Sequence, residues 1–248
     1  MSLSVGVISI LPTMFDALHQ GITGRAQREE RVKLEFWNPR DFTYDAHNTV
    51  DDRPYGGGPG MVMKYAPAHS ALKAAKSKLG QETMVIYLSP QGEPLTQAVI
   101  AQLAQQEKII LLSGRYEGID ERLIETDVDK EYSVGDFVVS GGELPCMLLI
   151  DAMTRLLPGA LGHSESAQQD SFSNGLLDHP HYTRPECIND QKVPKSLLSG
   201  DHKAINRWRM KQALGRTWQK RPDLIKRRTL NKIEKQLLQE YTDEHKQT

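Results

Sequence analysis

Three short segments carry residue types that could hold a small polar molecule. Tyr87-Leu88-Ser89-Pro90-Gln91-Gly92 ends an apolar run with a proline and a glycine that fix a turn. Ser113-Gly114-Arg115-Tyr116-Glu117-Gly118 sets a cation, an aromatic ring and a carboxylate between two glycines. Ser133-Val134-Gly135-Asp136 through Ser140-Gly141-Gly142-Glu143-Leu144-Pro145 offers bare backbone N–H and C=O groups, which approach a ligand closely where no Cβ intervenes. Each segment alone reads as a plain turn. Three at one end of a sheet point to a binding cleft. Neither GxGxxG nor GxxxxGK followed by Ser or Thr is present, so dinucleotide and NTPase chemistry have no support. The most glycine-dense stretch, Tyr55-Gly56-Gly57-Gly58-Pro59-Gly60-Met61, lacks the lysine of a phosphate cradle. It reads either as a flexible surface loop or as one that closes on a large substrate.

The elements that must position these segments follow from hydrophobic periodicity. Val5–Ile10, Lys33–Trp37, Met84–Leu88, Ile109–Leu112 and Phe137–Val139 are short, β-branched-rich runs bounded by Gly, Pro or Asn, as buried strands are. Between them Ala68, Ala71, Leu72, Ala75 and Leu79 keep helical spacing, and Leu95, Val99 and Leu103 repeat every four residues behind Pro94, placed near a helix start. Strand–helix alternation predicts a mostly parallel sheet covered on both faces, whose ligands bind beyond the strand ends. After Leu157 the pattern changes. Residues 161–178, rich in Gly, Ser, Gln, Asp and Asn, read as a flexible interdomain linker between a domain of residues 1–160 and a helical one of residues 179–248. The latter is expected to hold helices over about Asp201–Gln219 and Pro222–Tyr241, the second with a buried stripe of Leu230, Ile233 and Leu237.

Charge is unevenly spread. Of 31 basic and 32 acidic side chains, residues 200–248 carry 13 and 6, leaving 18 and 26 for the rest. A basic module suits a polyanion, because each Lys or Arg near a phosphate releases counterions. It equally suits a solvated helical face. Arg207, Arg209, Lys211, Arg216, Lys220, Arg221, Lys226, Arg227 and Arg228 are interleaved with Trp208 and Trp218, which read as core before base platforms. No apolar run approaches the roughly 18 residues of a membrane span. Cys146 and Cys187 form no CxxC pair, so reduced thiols in the cytoplasm are the expectation.

Gly6-Val7-Ile8-Ser9, Asn38-Pro39-Arg40-Asp41, Asp51-Asp52-Arg53-Pro54-Tyr55 through Met61, Gly114-Arg115-Tyr116-Glu117-Gly118-Ile119-Asp120-Glu121-Arg122 and Gly141-Gly142-Glu143-Leu144-Pro145 occur in this order. With His179-Pro180-His181-Tyr182-Thr183-Arg184-Pro185 and Arg221-Pro222-Asp223-Leu224 they extend the pattern nearly end to end. In these segments the chain resembles the bacterial tRNA (guanine-N1)-methyltransferase family. The resemblance implies a trefoil-knotted α/β domain of the SPOUT class, a small C-terminal all-helical domain that binds tRNA, and a homodimer with its active site at the subunit interface. Periodicity gives no hint of a knot, and knots are rare. The resemblance also implies S-adenosylmethionine as methyl donor, lined by Tyr87, Leu88, Ser89, Pro90, Gly114, Tyr116, Glu117, Ser133, Val134, Gly135, Phe137, Val139, Gly141, Gly142 and Pro145.

Its target would be N1 of the guanine 3′ of the anticodon, position 37, where a guanine precedes it. That nitrogen is protonated, so the chemistry needs a general base and a cation facing the charge that develops on O6. By position in the family pattern Asp170 is the base and Arg155 the stabiliser. Without the family, Asp170 is a solvated acid in a polar stretch and Arg155 a favourable helix C-terminal cation. His47, Asp51 and Gly60 are implied as tRNA contacts. The family's magnesium dependence makes Glu117 a candidate for Mg2+, or else for the donor's cationic group. Ribose methylation and non-catalytic RNA binding are the competing readings.

Overall fold

The computed structural model describes residues 2–162 and 166–246. In chain order the first unit, Met1–Ser164, holds β1 (Leu3–Ile8), α1 (Gly21–Arg28), β2 (Val32–Trp37), β3 (Asp51–Asp52), β4 (Val62–Met63), α2 (Tyr65–Leu79), β5 (Met84–Pro94), α3 (Gln97–Leu103), β6 (Lys108–Ser113), α4 (Glu121–Asp127), β7 (Lys130–Ser133) and α5 (Glu143–Thr154). Five strands form one sheet in the order β2-β1-β6-β5-β7, every neighbouring pair parallel. Strands buried on both faces explain the unbroken apolar runs. Val5 and Val7 of β1 and Ile109 and Leu111 of β6 face the layer with Phe15, Ile100 of α3, and Leu149 and Met153 of α5. Ile8, Ile110 and Leu112 face the opposite layer, with Ala68, Ala71, Leu72, Ala75 and Leu79 of α2 and Leu123 of α4. The alternation is that of a pleated strand.

Three local expectations are corrected. Phe137–Val139 forms no strand; the fifth strand is β7, just upstream, and Phe137 and Val138 are exposed in the loop that follows it. Pro94, near a helix start as expected, closes β5, and Leu95 precedes the helix it was placed in: α3 starts behind Thr96, whose hydroxyl accepts the Val99 N–H at 3.4 Å. β5 itself does not stop at Leu88. It bulges out over Ser89–Gly92 and returns, so that Tyr132 of β7 faces both Leu88 and Glu93. Gly92 permits this fold-back, since a Cβ there would lie 2.4 Å from the Tyr132 amide nitrogen.

The second unit, Glu165–Thr248, holds α6 (Ser166–Gln169), β8 (Cys187–Ile188), β9 (Gln191–Lys192), α7 (Lys195–Leu198), α8 (His202–Lys220), α9 (Pro222–Arg227) and α10 (Lys232–His245). It is mainly but not wholly helical: β8 and β9 pair antiparallel around Asn189 and Asp190, both with positive φ. Its core joins Leu176, Leu214 and Leu237. Leu176 therefore takes the end of the stretch read as a linker into the core, and the Leu177 N–H donates to the Thr217 hydroxyl at 2.8 Å. Residues 163–165 of that stretch lie outside the described residues. The long helix expected from Pro222 is two helices, because Asn231 and Glu234 form a reciprocal capping box that starts α10. Ile233, expected in the buried stripe, is exposed, and Glu234 is buried in its place. Gly215 of α8 lets the Tyr241 ring of α10 pack where a Cβ would stand.

Candidate functional site

The C-terminal ends of β5, β6 and β7 enclose a cleft of about 360 Å3. Its walls are the Ser89–Gly92 bulge of β5, the loop after β6, and the stretch from Ser133 to the first turn of α5. Every residue named above for the donor lines it: Tyr87, Leu88, Ser89, Pro90, Gly114, Tyr116, Glu117, Ser133, Val134, Gly135, Phe137, Val139, Gly141, Gly142 and Pro145. The walls are backbone-rich for steric reasons. A Cβ on Gly142 would lie 2.8 Å from the Gly114 nitrogen, and the Gly142 N–H donates to the Gly114 carbonyl at 2.7 Å. Tyr116 is a non-glycine residue held at φ 62° between Arg115 and Glu117. Such a conformation costs of order 1–3 kcal/mol and is concentrated at functional sites. Burial, then the charge of Asp51, raises the Tyr116 phenol above the ordinary tyrosine range, while Arg40 acts in the opposite sense. Burial pushes the Tyr87 phenol up to about 12, so it stays neutral near pH 7.

One ion pair holds two walls together. Glu143, the first residue of α5, is 0% exposed; it accepts from Arg115 Nε at 2.8 Å and from the Ser9 hydroxyl at 2.8 Å. The same guanidinium donates from Nη1 to the Ser140 carbonyl at 3.1 Å and reaches Met14 Sδ with Nη2 at 3.0 Å. Arg115 thus binds the loop after β6 to the stretch that leads into α5. Gly141 leaves room for it, since a Cβ there would sit 2.2 Å from Arg115 Nε.

The remaining candidates are distributed differently. Gly60 packs on Glu117, whose Oε1 lies 2.3 Å from where a Gly60 Cβ would be. The Glu117 N–H donates to the Met61 carbonyl at 2.9 Å, so the glycine-rich loop is stitched to the cleft wall. Asp51 lies near enough to Tyr116 for its charge to help raise that phenol. His47 stands exposed on a turn where its N–H donates to Asp45 Oδ1 at 3.0 Å. Arg155 is the C-cap of α5, whose other end lines the cleft. Asp170, in the second unit, is partly buried and lines a separate cavity of about 240 Å3 with Asn174, Asp178, His179, Asn206 and Arg209. In the same unit Arg207 pairs with Glu240, Lys211 with Glu244, Arg221 with Asp223 and Arg228 with Glu234. Part of the basic face is therefore neutralised locally. Trp218, read from sequence as core, is exposed; Trp208 packs beside His179 and Tyr182.

Residues 3–227 match the family model for tRNA (guanine-1)-methyltransferase TrmD. The chain belongs to this family. A tRNA (guanine-N(1)-)-methyltransferase of Coxiella burnetii is 64% identical over 244 residues, covering 98% of this chain and 99% of the relative. Proteins of the same name from Pseudoalteromonas atlantica and Aeromonas hydrophila are each 58% identical, covering 96% and 97% of this chain and 91% and 97% of theirs. For this TrmD-family chain, sequence reasoning missed the Arg115–Glu143–Ser9 link and the further cleft residues Glu121 and Glu131, and it named Gln91 only as part of a turn. Arg115 and Glu143 had been noted only as parts of turns. A signal was available in the polar residues flanked by glycines, but their pairing is a tertiary fact.

Proposed function

We propose that this chain transfers a methyl group from S-adenosylmethionine to N1 of guanine 37, the base 3′ of the anticodon, in tRNAs where a guanine precedes it. The observation that carries the reading is the cleft made of three backbone-lined turns at the ends of β5, β6 and β7, in a chain whose relatives bear the name tRNA (guanine-N(1)-)-methyltransferase. The cleft suits the donor. Its volume falls in the usual range of about 300–1,000 Å3 for small-molecule sites, Tyr116 and Phe137 present exposed rings, and Glu117, Glu121 and Glu131 supply negative charge toward a cationic ligand. When bound, the donor supplies an electrophilic methyl on a positively charged sulfur.

The chain's own residues then have three tasks. Asp170 removes the N1 proton, which frees a lone pair for attack. Arg155 faces the negative charge that grows on O6. The glycine-lined walls align the reactants and keep water out, and alignment of this kind substitutes for much of the entropic barrier. Binding of the base and of the tRNA backbone falls to Asp51, Gly60 and His47 on the glycine-rich side, and to the basic face of the second unit.

The reading includes a trefoil knot. It is supported by the hydrogen bonds that tie residues 140–143 to the loop after β6 through Arg115 and the Gly142 N–H. It also includes a homodimer with the active site between subunits. A helix of 12 residues is about 18 Å long, so Arg155 stands at the end of α5 remote from its own cleft, and this reading assigns it to the cleft of a second copy. Leu144 and Leu148, one turn apart on α5, are exposed as a subunit contact would require. Glu117 is in no group of three or more candidate metal ligands among the described residues. Magnesium near it therefore rests on the family alone, and no step above runs through it. Among the described residues no helix is long and apolar enough to cross a membrane; the proposed compartment is the cytoplasm, where tRNA is the substrate.

The test is methyl transfer to an anticodon stem-loop, with nucleosides of the product resolved by mass spectrometry. The account predicts 1-methylguanosine, and none when the target guanine is replaced by adenine. A ribose-methylated product, or methylation indifferent to the replacement, overturns it.

A further inference from the structure

The segment His179-Pro180-His181 has no task in the chemistry above, yet its side chains converge. His181 Nε2 lies 2.7 Å from Asp178 Oδ2, His179 Nε2 lies 3.8 Å from Asp178 Oδ1, and one donor atom of each residue falls within 4.8 Å of the other two. In a tetrahedral site with bonds of about 2.0–2.1 Å, neighbouring donors stand roughly 3.3 Å apart. The observed separations straddle that value. The His181 side chain is 70% exposed and free to turn by the small amount required. A second feature points the same way. His179 Nδ1 is 3.2 Å from the Pro180 carbonyl oxygen, which can only accept, so Nδ1 carries the proton and Nε2 offers its lone pair to the cluster. Metal-bound histidines are held in this manner, with the second ring nitrogen donating to a carbonyl or carboxylate. Among the described residues no other group of three or more such ligands exists.

We propose that Asp178, His179 and His181 form a transition-metal site of the Zn2+ class in the second unit, with a fourth position open to water or to an RNA phosphate. Two imidazoles and one carboxylate select borderline metals over Mg2+, which takes oxygen ligands. Arg209 lines the same cavity as His179, and its charge opposes any dication there, so the selection rests on the ligand atoms. Asp178 and His179 share that cavity with Asp170, so the metal would clamp the chain close to the proposed base.

The experiment uses the full chain, stripped of metal and returned to chelator-free buffer, without donor or RNA. Co2+ is followed by its visible absorption and Zn2+ by competition against Co2+. One equivalent of Zn2+ is expected, displacing Co2+ and raising the melting temperature. His181→Ala, at an exposed position that leaves folding intact, is expected to weaken Zn2+ binding by more than about tenfold, as is Asp178→Asn. Cys187→Ser, which removes an exposed alternative ligand, leaves binding unchanged. Absence of a saturable equivalent in the unmodified chain, or wild-type binding by His181→Ala, overturns the site.

Discussion

Glu143 is the residue on which the cleft geometry turns. A carboxylate with no exposure survives only when its oxygens are matched, and here Arg115 and Ser9 match both. Arg115→Ala would leave that charge buried and unpaired, a change expected to cost about 3–5 kcal/mol. Urea unfolding measures it directly. A loss below about 1 kcal/mol, the size found for exposed pairs, would show that the pair is incidental. Lysine is a poor replacement, because a single ammonium cannot copy the fork that spans Glu143 Oε2 and the Ser140 carbonyl.

Among the elements, the strand-end turns form the cleft assigned to the donor, and the strands carry the turns. Gly142→Ala tests this relation. Its φ of −74° suits alanine, so the obstacle is contact with the Gly114 nitrogen, the Ser113 Cα and the Ser113 Oγ, 2.8, 2.9 and 3.1 Å from the new methyl. Binding of S-adenosylhomocysteine, read by calorimetry, is expected to fall by more than about tenfold, as a displaced wall of a preformed site implies; unchanged affinity would remove the turn from the site. Periodicity was sufficient for the parallel sheet and for α2, because both bury complete apolar faces. It failed at Phe137–Val139, where apolar residues line a cleft and not the core. It failed again at Arg228–Asn231, where the spacing of Leu230, Ile233 and Leu237 runs on through a helix break. There the Asn231 and Glu234 capping pair was the better signal. The three turns were visible as candidates from glycine spacing alone, whereas the Arg115–Glu143 pair was not, since 28 residues separate partners that only the folded chain brings together.

For the whole molecule, the proposed reaction requires the two units to cooperate, and neither periodicity nor charge assigns roles to Arg155 and Asp170. One is the cap of a helix and the other lies in a polar stretch; only family position marks them. The proposed dimer makes a separate claim. Leu148→Glu, at a side chain already 58% exposed, should spare the fold, convert the protein to monomers in sedimentation, and abolish turnover. A monomer with full activity would exclude a shared site. The central claim, that a donor cleft in one unit works with a carboxylate in the other, is tested most directly by Asp170→Ala. Calorimetry with S-adenosylhomocysteine and single-turnover methylation of the stem-loop are read on the same preparation. The account predicts affinity within about twofold of the unmodified protein and a rate reduced by about 10²–10⁴-fold, the usual contribution of a general base. Near-normal single-turnover methylation by this variant would contradict it.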